Sequence, residues 1–370
     1  KKKKLKKVII TTSNNLYFDN RVHKITLALI ELGFEVLKTG RQLPEIQNPM
    51  NRPGREKRFR LPFKKGPLFY FFLNIYTFWF LVFSRLDLIW AVDMDTLPAA
   101  KCAAVIKRKP IVFDGHEYFS ELPELTNRQK TKGIWVKLER IFLPGCNLYY
   151  TVSPGLVNLY KLNLNLDFRL LRNFPIQRKE IKIPILKADE KIILYQGALN
   201  TGRGLEQAIK ALSFLEDNYR MVIVGRGDIT DELIQLTKSM NLEKRVIFTG
   251  PVPFEELHKY QENAMLGLAL HENMGLNYYH ALPNRIFDYI QAGIPVLAND
   301  FPDMAEIINN SETGLITNSL EPEIIASTIK EACESTLLRR KWQDTIPLAA
   351  KHYTWNNEKD VIKEVLELVK

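Results

Sequence analysis

The chain contains a glycine-rich turn, Gly-Ala-Leu-Asn-Thr-Gly-Arg-Gly at 197–204, between an apolar run at 191–196 and an amphipathic run at 205–215. This pattern predicts a strand, a tight turn and a helix. Backbone N–H groups and the positive end of the helix dipole at such a turn suit a diphosphate. Arg203 adds a planar cationic fork at the same place. The Lys-Ser/Thr ending of a Walker loop is missing, so the sequence predicts an anion site that is not a P-loop.

A second polar segment follows the apolar run Ala264–Leu270. Such a run predicts a buried strand, which places the polar residues at the strand's carboxyl end. Pro283 is well placed for the first turn of a helix over Arg285–Ala292. Because open parallel sheets bind ligands beyond the carboxyl ends of their strands, we expect a ligand site within 273–288.

A third cluster, Asp-Gly-His-Glu-Tyr-Phe-Ser at 114–120, follows the predicted strand Pro110–Phe113. Two carboxylates and an imidazole directly after a buried strand are costly for a purely structural loop. The same groups suit the hydroxyls of a sugar. Structural hydrogen bonds remain the alternative role for Asp114, His116 and Glu117.

Predicted strands alternate with predicted helices along the chain, which indicates α/β domains with parallel sheets. The loop after the first strand, Lys7–Thr12, lacks the Gly-x-Gly-x-x-Gly fingerprint of dinucleotide binding, and this argues against a dehydrogenase. The charged, proline-containing segment at 177–190 is the expected linker. It separates an expected first domain at 1–176 from a second at 191–352, and a terminal helix is expected at 353–370.

Two further segments lie in the first domain. Gln42–Lys65 is rich in Pro, Arg and Lys with little periodicity, so we expect a long basic loop. Pro67–Phe83 is an apolar, aromatic-rich run that falls short of the roughly 20 residues expected of a bilayer span. A mostly buried helix is the favoured interpretation. A membrane-surface helix beside a basic flank and a true span are the alternatives.

The segment Leu-Pro-Asn-Arg-Ile-Phe-Asp-Tyr-Ile-Gln-Ala-Gly-Ile-Pro-Val at 282–296 resembles the donor-binding segment of the retaining, nucleotide-sugar-dependent glycosyltransferases of family 4. The turn at 197–204 is similar to that family's diphosphate loop, and 114–120 to its His-containing loop. The resemblance implies the GT-B fold, an α/β architecture with two doubly wound Rossmann-like domains facing a central cleft. The first domain would take the acceptor and the second the nucleotide sugar.

The resemblance also implies roles for single residues. The family commonly carries two Glu separated by seven residues, one near the donor sugar and one on the ribose, and the matching positions here are His280 and Asp288. A polar loop role for His280 and a solvated helix position for Asp288 are the alternatives. Arg203 takes the place of a family Lys, and Arg285 is the candidate to replace a cation that Ala198 lacks.

The implied catalytic residues are His116, Arg203, His280 and Arg285. The nucleotide sugar would contact Gly197, Gly202, Gly204, Asn273, Gly275, Leu276, Asn277, Asp288 and Glu306. Residues on the acceptor side would be Asp19, Asn20, Arg21 and Glu117. A helix-capping role is an equal alternative for Asp19 and Asn20.

The reaction implied by the resemblance moves a hexosyl group from a nucleotide diphosphate sugar to an acceptor hydroxyl, with anomeric retention, in cell-surface polysaccharide or glycoconjugate synthesis. The acceptor would be a carbohydrate or a lipid-linked molecule. No cofactor and no metal are expected, because Asp93-Met-Asp95 matches an Asp-x-Asp motif only in letters and lies in the wrong domain. Alternatives are a sugar-nucleotide epimerase, a phosphorylase, and a degenerate transferase that acts as a sugar-nucleotide or membrane-surface binding subunit.

The formal net charge of +10 and the pI near 9.3 favour anionic partners, namely nucleic acid, a nucleotide diphosphate or an acidic membrane surface. No zinc-finger, RNA-binding or helix-turn-helix pattern is present, so nucleic acid is not an expected partner. The three widely spaced cysteines favour a reducing compartment. The apolar residues after Lys1–Lys7 are too few for a signal-peptide core, so a cytoplasmic protein is expected, with the inner face of the membrane as a place of association.

Overall fold

The computed structural model of the chain describes residues 5–17, 19–42, 52–178, 190–253 and 256–370. These residues form two compact units. The first takes the chain up to Asn173 and again from Glu358, and the second is Phe174–Asn357. Most of the expected linker, 179–189, lies outside the described residues.

Each unit contains one parallel sheet. The order in the first is β3-β2-β1-β4-β5-β6-β7, and in the second β10-β9-β8-β11-β12-β13. The strands are β1 (Lys6–Thr11), β2 (Phe34–Arg41), β3 (Arg55–Phe59), β4 (Leu88–Val92), β5 (Ile111–Gly115), β6 (Leu148–Thr151), β7 (Arg169–Leu170), β8 (Lys191–Gln196), β9 (Tyr219–Val224), β10 (Val246–Gly250), β11 (Ala264–Ala269), β12 (Val296–Asn299) and β13 (Gly314–Thr317). The α/β fold class with two parallel sheets is therefore confirmed.

Helices connect most of these strands, as is usual for parallel pairing. They are α1 (Asn20–Glu31), α2 (Pro67–Phe83), α3 (Leu97–Lys107), α4 (Gln129–Phe142), α5 (Pro154–Leu164), α6 (Leu205–Ala211), α7 (Thr230–Ser239), α8 (His258–Gln261), α9 (Leu276–Tyr279), α10 (Asn284–Gln291), α11 (Pro302–Ser311), α12 (Pro322–Glu334), α13 (Thr336–His352), α14 (Trp355–Glu358) and α15 (Val365–Leu368). Pro283 precedes α10 and is its N-cap, one position earlier than the sequence suggested.

The strand order of each sheet reverses at one point. In the first unit this point lies between β1 and β4, and in the second between β8 and β11. At such a point the connections that follow two neighbouring strands run to opposite sides of the sheet. A crevice therefore opens at the carboxyl ends of these strands, and ligands of doubly wound sheets bind there. The loops that begin at Gly197 and His271 therefore stand at the switch point of the second unit.

The core of the second unit fixes α10 against these strands. Gly267 on β11 leaves room for Tyr289 of α10, because a Cβ at that position would lie 2.4 Å from the tyrosine ring. The Tyr289 hydroxyl donates to the Leu194 carbonyl at 3.1 Å and accepts from the Gln196 amide at 3.0 Å. The helix is thus pinned to the end of β8, which sets the positions of Arg285 and Asp288.

The expectation of a long loop over Gln42–Lys65 is wrong in one part. Residues 43–51 lie outside the described part, but Arg55–Phe59 forms β3 and pairs in parallel with β2. This strand lies at the edge of the sheet, and four of its five residues are charged, so it shows no apolar alternation in sequence. Charged residues on an edge strand also oppose pairing with another chain.

The expectation of a mostly buried helix at 67–83 is also wrong. The segment is helical over this whole range, but only Phe69, Leu73, Thr77 and Leu81 are buried. Their spacing of four residues places them on one face of the helix, and that face is the buried one. Composition could not reveal this, because both faces of α2 are apolar.

The C-terminal segment packs on the first unit. The Glu358 carboxylate accepts from the Arg172 amide at 2.8 Å and from the Arg172 side chain at 3.0 and 3.1 Å. Lys359 pairs with Glu31 at 2.6 Å, and the Tyr150 hydroxyl donates to the Val361 carbonyl at 3.1 Å. These contacts join the last residues of the chain to α1 and β6.

Candidate functional site

The glycine-rich turn after β8 packs closely against the loop after β11. Gly202 has a φ of 80°, and a Cβ at this position would lie 2.4 Å from Met274 Sδ and 2.9 Å from the Tyr278 ring. Gly204, the N-cap of α6, has a φ of 65° and approaches Leu270 equally closely. A residue with a side chain would push the two loops apart, so glycine is required at both positions.

The close packing brings two arginines onto one imidazole. His271 Nε2 accepts from Arg203 Nη1 at 2.8 Å and from Arg285 Nη2 at 2.8 Å. Arg203 comes from the glycine-rich turn and Arg285 from α10, which are 82 positions apart in the sequence. The imidazole is therefore the point at which the turn, the loop after β11 and α10 meet.

Tyrosine rings contact all three side chains, those of His271, Arg203 and Arg285. The Arg203 guanidinium lies over the Tyr278 ring at 4.8 Å, and that ring stacks on His271 with centroids 5.1 Å apart. Arg285 lies over the Tyr195 ring at 4.6 Å. Contact with an aromatic face stabilises a cation but leaves the edge of the planar guanidinium available for hydrogen bonds.

The group concentrates positive charge. Burial and the two guanidiniums, Arg285 more than Arg203, hold the pKa of His271 well below its usual range, so the ring is neutral and accepts at Nε2. Two cations within about 6 Å of each other repel by about 3 kcal/mol at an effective dielectric constant of about 20. In the described part of the chain, neither Arg285 Nη1 nor His271 Nδ1 has a hydrogen-bond partner, although both atoms are buried. Unsatisfied donors beside excess positive charge suit an oxyanion.

Asp288 lies one helical turn after Arg285 and faces the end of β8. Its Oδ2 accepts from Gln196 Nε2 at 3.2 Å, and Gln196 Oε1 accepts from Gln261 at 2.8 Å. Gln261 in turn accepts from Arg178 at 2.5 Å. The chain of amides fixes the Asp288 carboxylate, which retains acceptor capacity for hydroxyl groups.

His280 has an acidic partner that the sequence analysis did not identify. Its Nδ1 donates to Asp303 Oδ2 at 3.0 Å, and Asp303 is only 3% exposed. A carboxylate at Nδ1 selects the tautomer in which Nε2 is an acceptor. In that tautomer the imidazole offers an acceptor at Nε2.

The other residues expected to bind the donor differ in exposure. Gly275 caps α9 with a φ of 121°, Asn277 is buried, and Asn273 and Leu276 are exposed in the same loop. Glu306 is exposed on α11. Gly197 adjoins the arginine pair, since a Cβ there would lie 3.7 Å from Arg285 Nη1.

The first unit contains a separate buried charge network at the end of β5. Asp114 is fully buried and accepts from Arg21 Nη2 at 2.5 Å and from Arg21 Nε at 3.1 Å. Arg21 also donates to the Leu171 carbonyl at 2.7 Å, and Trp90 Nε1 donates to Asp114 at 3.3 Å. Burial opposes ionisation of Asp114, but Arg21 and His116 hold the pKa of its carboxyl well below the usual range.

His116 lies between two carboxylates. Its Nδ1 is 3.4 Å from Asp93 Oδ2, and its Nε2 is 3.4 Å from Asp114 Oδ2. Burial alone would lower the pKa of His116, but Asp93 and Asp114 raise it to about 9. Asp93 has a left-handed φ of 60° and accepts from the His116 amide at 2.8 Å. A carboxylate facing each ring nitrogen therefore favours the protonated form of His116.

The residues expected on the acceptor side have structural contacts. Asp19 is the N-cap of α1 and accepts from the Val22 amide at 2.9 Å. Asn20 accepts from Arg52 at 2.8 Å, and Arg21 forms the ion pair with Asp114. Glu117 is exposed, and its carbonyl accepts from Tyr160 at 3.3 Å.

Sequence reasoning missed the side chains of His271, Asp303, Gln196 and Arg178, and it considered Asp93 only as part of a false metal motif. His271, Gln196 and Asp93 stand at or next to strand ends, Arg178 lies between elements, and Asp303 lies in the first turn of α11. A polar side chain has many uses at such positions. The available signal was weak: His271 and Asp93 are the first polar residues after buried strands. Among the described residues, no group of three or more His, Cys, Asp or Glu side chains is arranged to hold a metal ion.

Comparison with known proteins gives a family match for the second unit. Residues 176–347 match the family model described as glycosyl transferases group 1. The chain is 28% identical over 174 residues to an uncharacterised glycosyltransferase of Methanocaldococcus jannaschii. The aligned region is 46% of this chain and 41% of that protein. It is 24% identical to the N-acetylgalactosamine-N,N'-diacetylbacillosaminyl-diphospho-undecaprenol 4-alpha-N-acetylgalactosaminyltransferase of Campylobacter jejuni, over 44% of this chain and 43% of that enzyme. The chain thus spans less than half the length of these two curated relatives.

Solved structures share the fold over nearly the whole chain. Anabaena HepE, determined in complex with UDP and glucose, superposes with a TM-score of 0.76 at 15% identity and covers 97% of this chain and 99% of its own. Similarity at this level of identity concerns the fold. This chain therefore has the α/β GT-B fold with two parallel sheets, and its second unit carries the match to the glycosyl transferases group 1 model.

Proposed function

We propose that this chain transfers a sugar from a nucleotide diphosphate sugar to an acceptor hydroxyl, with anomeric retention and without a metal. The observation that carries the proposal is the convergence of Arg203 and Arg285 on His271 at the switch point of the second unit. The similar proteins of Methanocaldococcus jannaschii and Campylobacter jejuni are named as glycosyltransferases, which supports the same reaction class.

The proposed step breaks the bond between the anomeric carbon and the phosphate oxygen and forms a bond from that carbon to the acceptor oxygen. The acceptor proton passes to the departing phosphate oxygen on the same face. Negative charge grows on the diphosphate as the bond breaks, and preorganised cations stabilise it without reorganisation. Arg203 and Arg285 would supply this stabilisation.

Two further side chains would orient the donor. Asp288, held by Gln196, would accept hydrogen bonds from ribose hydroxyls. His280, whose Nδ1 is committed to Asp303, would accept at Nε2 from a hydroxyl of the sugar. His116 in the first unit, whose ring nitrogens face Asp93 and Asp114, is also proposed to take part in transfer.

A thermal-shift screen of nucleoside diphosphates and their sugars tests the donor site. A ligand at a hundredfold excess over Kd stabilises the folded state by about 2.7 kcal/mol. For a unit of this size the melting temperature should rise by about 5–11 °C. Asp288→Ala should reduce the shift given by nucleoside diphosphates more than the shift given by inorganic pyrophosphate, which has no ribose. No shift with any nucleotide would refute the assignment.

An activity assay separates the alternatives. Transfer requires both the donor and an acceptor, whereas an epimerase turns over the donor alone and a phosphorylase requires inorganic phosphate. A chain that binds donors but neither hydrolyses nor transfers them, across a panel of donors and acceptors, would be the binding subunit. Product anomers determined by NMR would establish whether configuration is retained.

We also propose peripheral contact with an anionic membrane through the outward face of α2. No helix among the described residues has the length and apolarity needed to cross a bilayer. Large apolar side chains nevertheless remain exposed on α2. They are Leu68 (50%), Phe71 (57%), Ile75 (38%), Tyr76 (42%), Trp79 (53%) and Phe83 (80%).

Charge decides the expected occupant of this face. Lys64 and Lys65 are exposed just before α2, and Arg85 is exposed just after it. Apolar and aromatic area between cations is the pattern of a helix that lies in a membrane interface, where each nearby cation adds about 1 kcal/mol with anionic lipid. A lipid-linked acceptor, as named for the Campylobacter relative, would be reached from the same surface.

Sedimentation with vesicles tests the membrane contact. Binding to phosphatidylcholine vesicles containing phosphatidylglycerol should exceed binding to phosphatidylcholine alone. Trp79→Ala with Phe83→Ala should lower it at least tenfold, whereas Leu337→Ala with Leu348→Ala, which removes comparably exposed side chains from α13, should not. Equal loss in both variants, or no dependence on anionic lipid, would refute the surface.

A further inference from the structure

The imidazole of His271 accepts hydrogen bonds from two arginines, Arg203 and Arg285. His271 is fully buried, its amide donates to Asn299 Oδ1 at 2.5 Å, and its ring stacks on Tyr278. The position of the ring is therefore set by β12 and α9 rather than by the arginines. A fixed ring can impose its geometry on the two long cationic side chains.

Nε2 of His271 has one lone pair, and two guanidiniums share it at 2.8 Å each. A guanidinium has five N–H donors, so each arginine has donors besides the one that it directs at Nε2. Nδ1 on the other side of the ring is a buried donor without a partner among the residues that the structure describes. Arg285 Nη1 is a second buried donor of this kind.

We propose that His271 is a positioning residue of the donor site, and that its neutral Nε2 holds Arg203 and Arg285 side by side for one pyrophosphate group. The inference rests on the proposed function and names the residue that assembles its anion site. Without an acceptor at this position, the two cations repel and separate. Pyrophosphate, which has oxygens on two linked phosphorus atoms, matches two adjacent guanidinium forks better than a single phosphate does.

The test compares His271→Phe with His271→Gln. Phenylalanine keeps a ring for stacking on Tyr278 but removes the acceptor, whereas the glutamine amide places a carbonyl oxygen near the position of Nε2. Binding of inorganic pyrophosphate is measured by calorimetry, and the KM for the donor is measured beside kcat. His271→Phe should weaken pyrophosphate binding at least tenfold and raise KM more than it lowers kcat, while His271→Gln should stay within about threefold of wild type.

A second pair keeps the test independent of folding defects. The shorter side chain of His271→Asn carries its carbonyl near the position of Nδ1 and cannot reach both arginines, so this variant should lose binding that His271→Gln retains. Wild-type binding by His271→Phe, or equal loss in the Gln and Asn variants, would overturn the role of His271 while leaving the donor site intact. Wild-type protein that binds neither pyrophosphate nor any nucleoside diphosphate would instead overturn the proposed function.

Discussion

Replacement of Arg285 by Met separates ligand binding from folding. The side chain is 7% exposed, donates to His271 at 2.8 Å and lies within a few ångströms of a second guanidinium. A charge-assisted hydrogen bond contributes about 1.5–3 kcal/mol, so loss of one such bond to a diphosphate should raise Kd about 10- to 150-fold. Methionine has a similar volume, and removal of one of two repelling buried cations should leave the free energy of unfolding unchanged or higher.

The assay is calorimetric titration with the nucleoside diphosphate that gives the largest thermal shift, together with urea unfolding without ligand. Arg340→Met is the matched control, because Arg340 is exposed on α13 and the substitution makes the same change in net charge. An Arg285→Met variant that binds the ligand as tightly as wild type would refute the anion site. Equal weakening in the control would show a long-range charge effect instead.

Three other predictions concern folding. Asp114→Asn leaves Arg21 buried without its carboxylate and should lower the free energy of unfolding by about 3–5 kcal/mol, as measured by urea denaturation. Because the pKa of His116 is raised in the folded state, its protonation stabilises that state fully below pH 6.5, and this stabilisation is lost as pH rises through about 9. His116→Gln should therefore flatten the decline in unfolding free energy over this range. An unchanged slope would contradict the pairing of His116 with its carboxylates. Gly202→Ala should lower the free energy of unfolding by about 1–3 kcal/mol more than Gly33→Ala does. Both glycines have a left-handed φ, but of the two only Gly202 faces packed atoms. Equal losses in thermal unfolding would refute the close packing.

Local patterns in the sequence determined the class of fold. Buried strands such as Ala264–Leu270 appear as continuous apolar runs, since a parallel sheet is covered on both faces. The run of residues at 282–296 indicated a nucleotide-sugar glycosyltransferase, and it lies within the match to the glycosyl transferases group 1 model. The glycines at 202 and 204 were recognisable because a turn between a strand and a helix requires their conformations.

Two local predictions failed for related reasons. The strand at 55–59 lies at a sheet edge and carries charged residues, so its sequence shows neither alternation nor an apolar run. The helix at 67–83 is apolar on every side, so its sequence contains no signal of which face is covered. In both cases burial depends on neighbours that are distant in sequence.

The sequence by itself supplied the separate parts of the candidate site: the turn with Arg203, the helix with Arg285 and Asp288, and the loop with His116. Only the tertiary structure decided that Arg203 and Arg285 meet at His271, that Asp303 orients His280, and that Asp93 and Asp114 enclose His116. The physical reason is that a strand end fixes where a side chain begins, whereas its partner is chosen by the register of neighbouring strands and the packing of helices on them. Those distances arise between residues far apart in the chain, and no local periodicity encodes them.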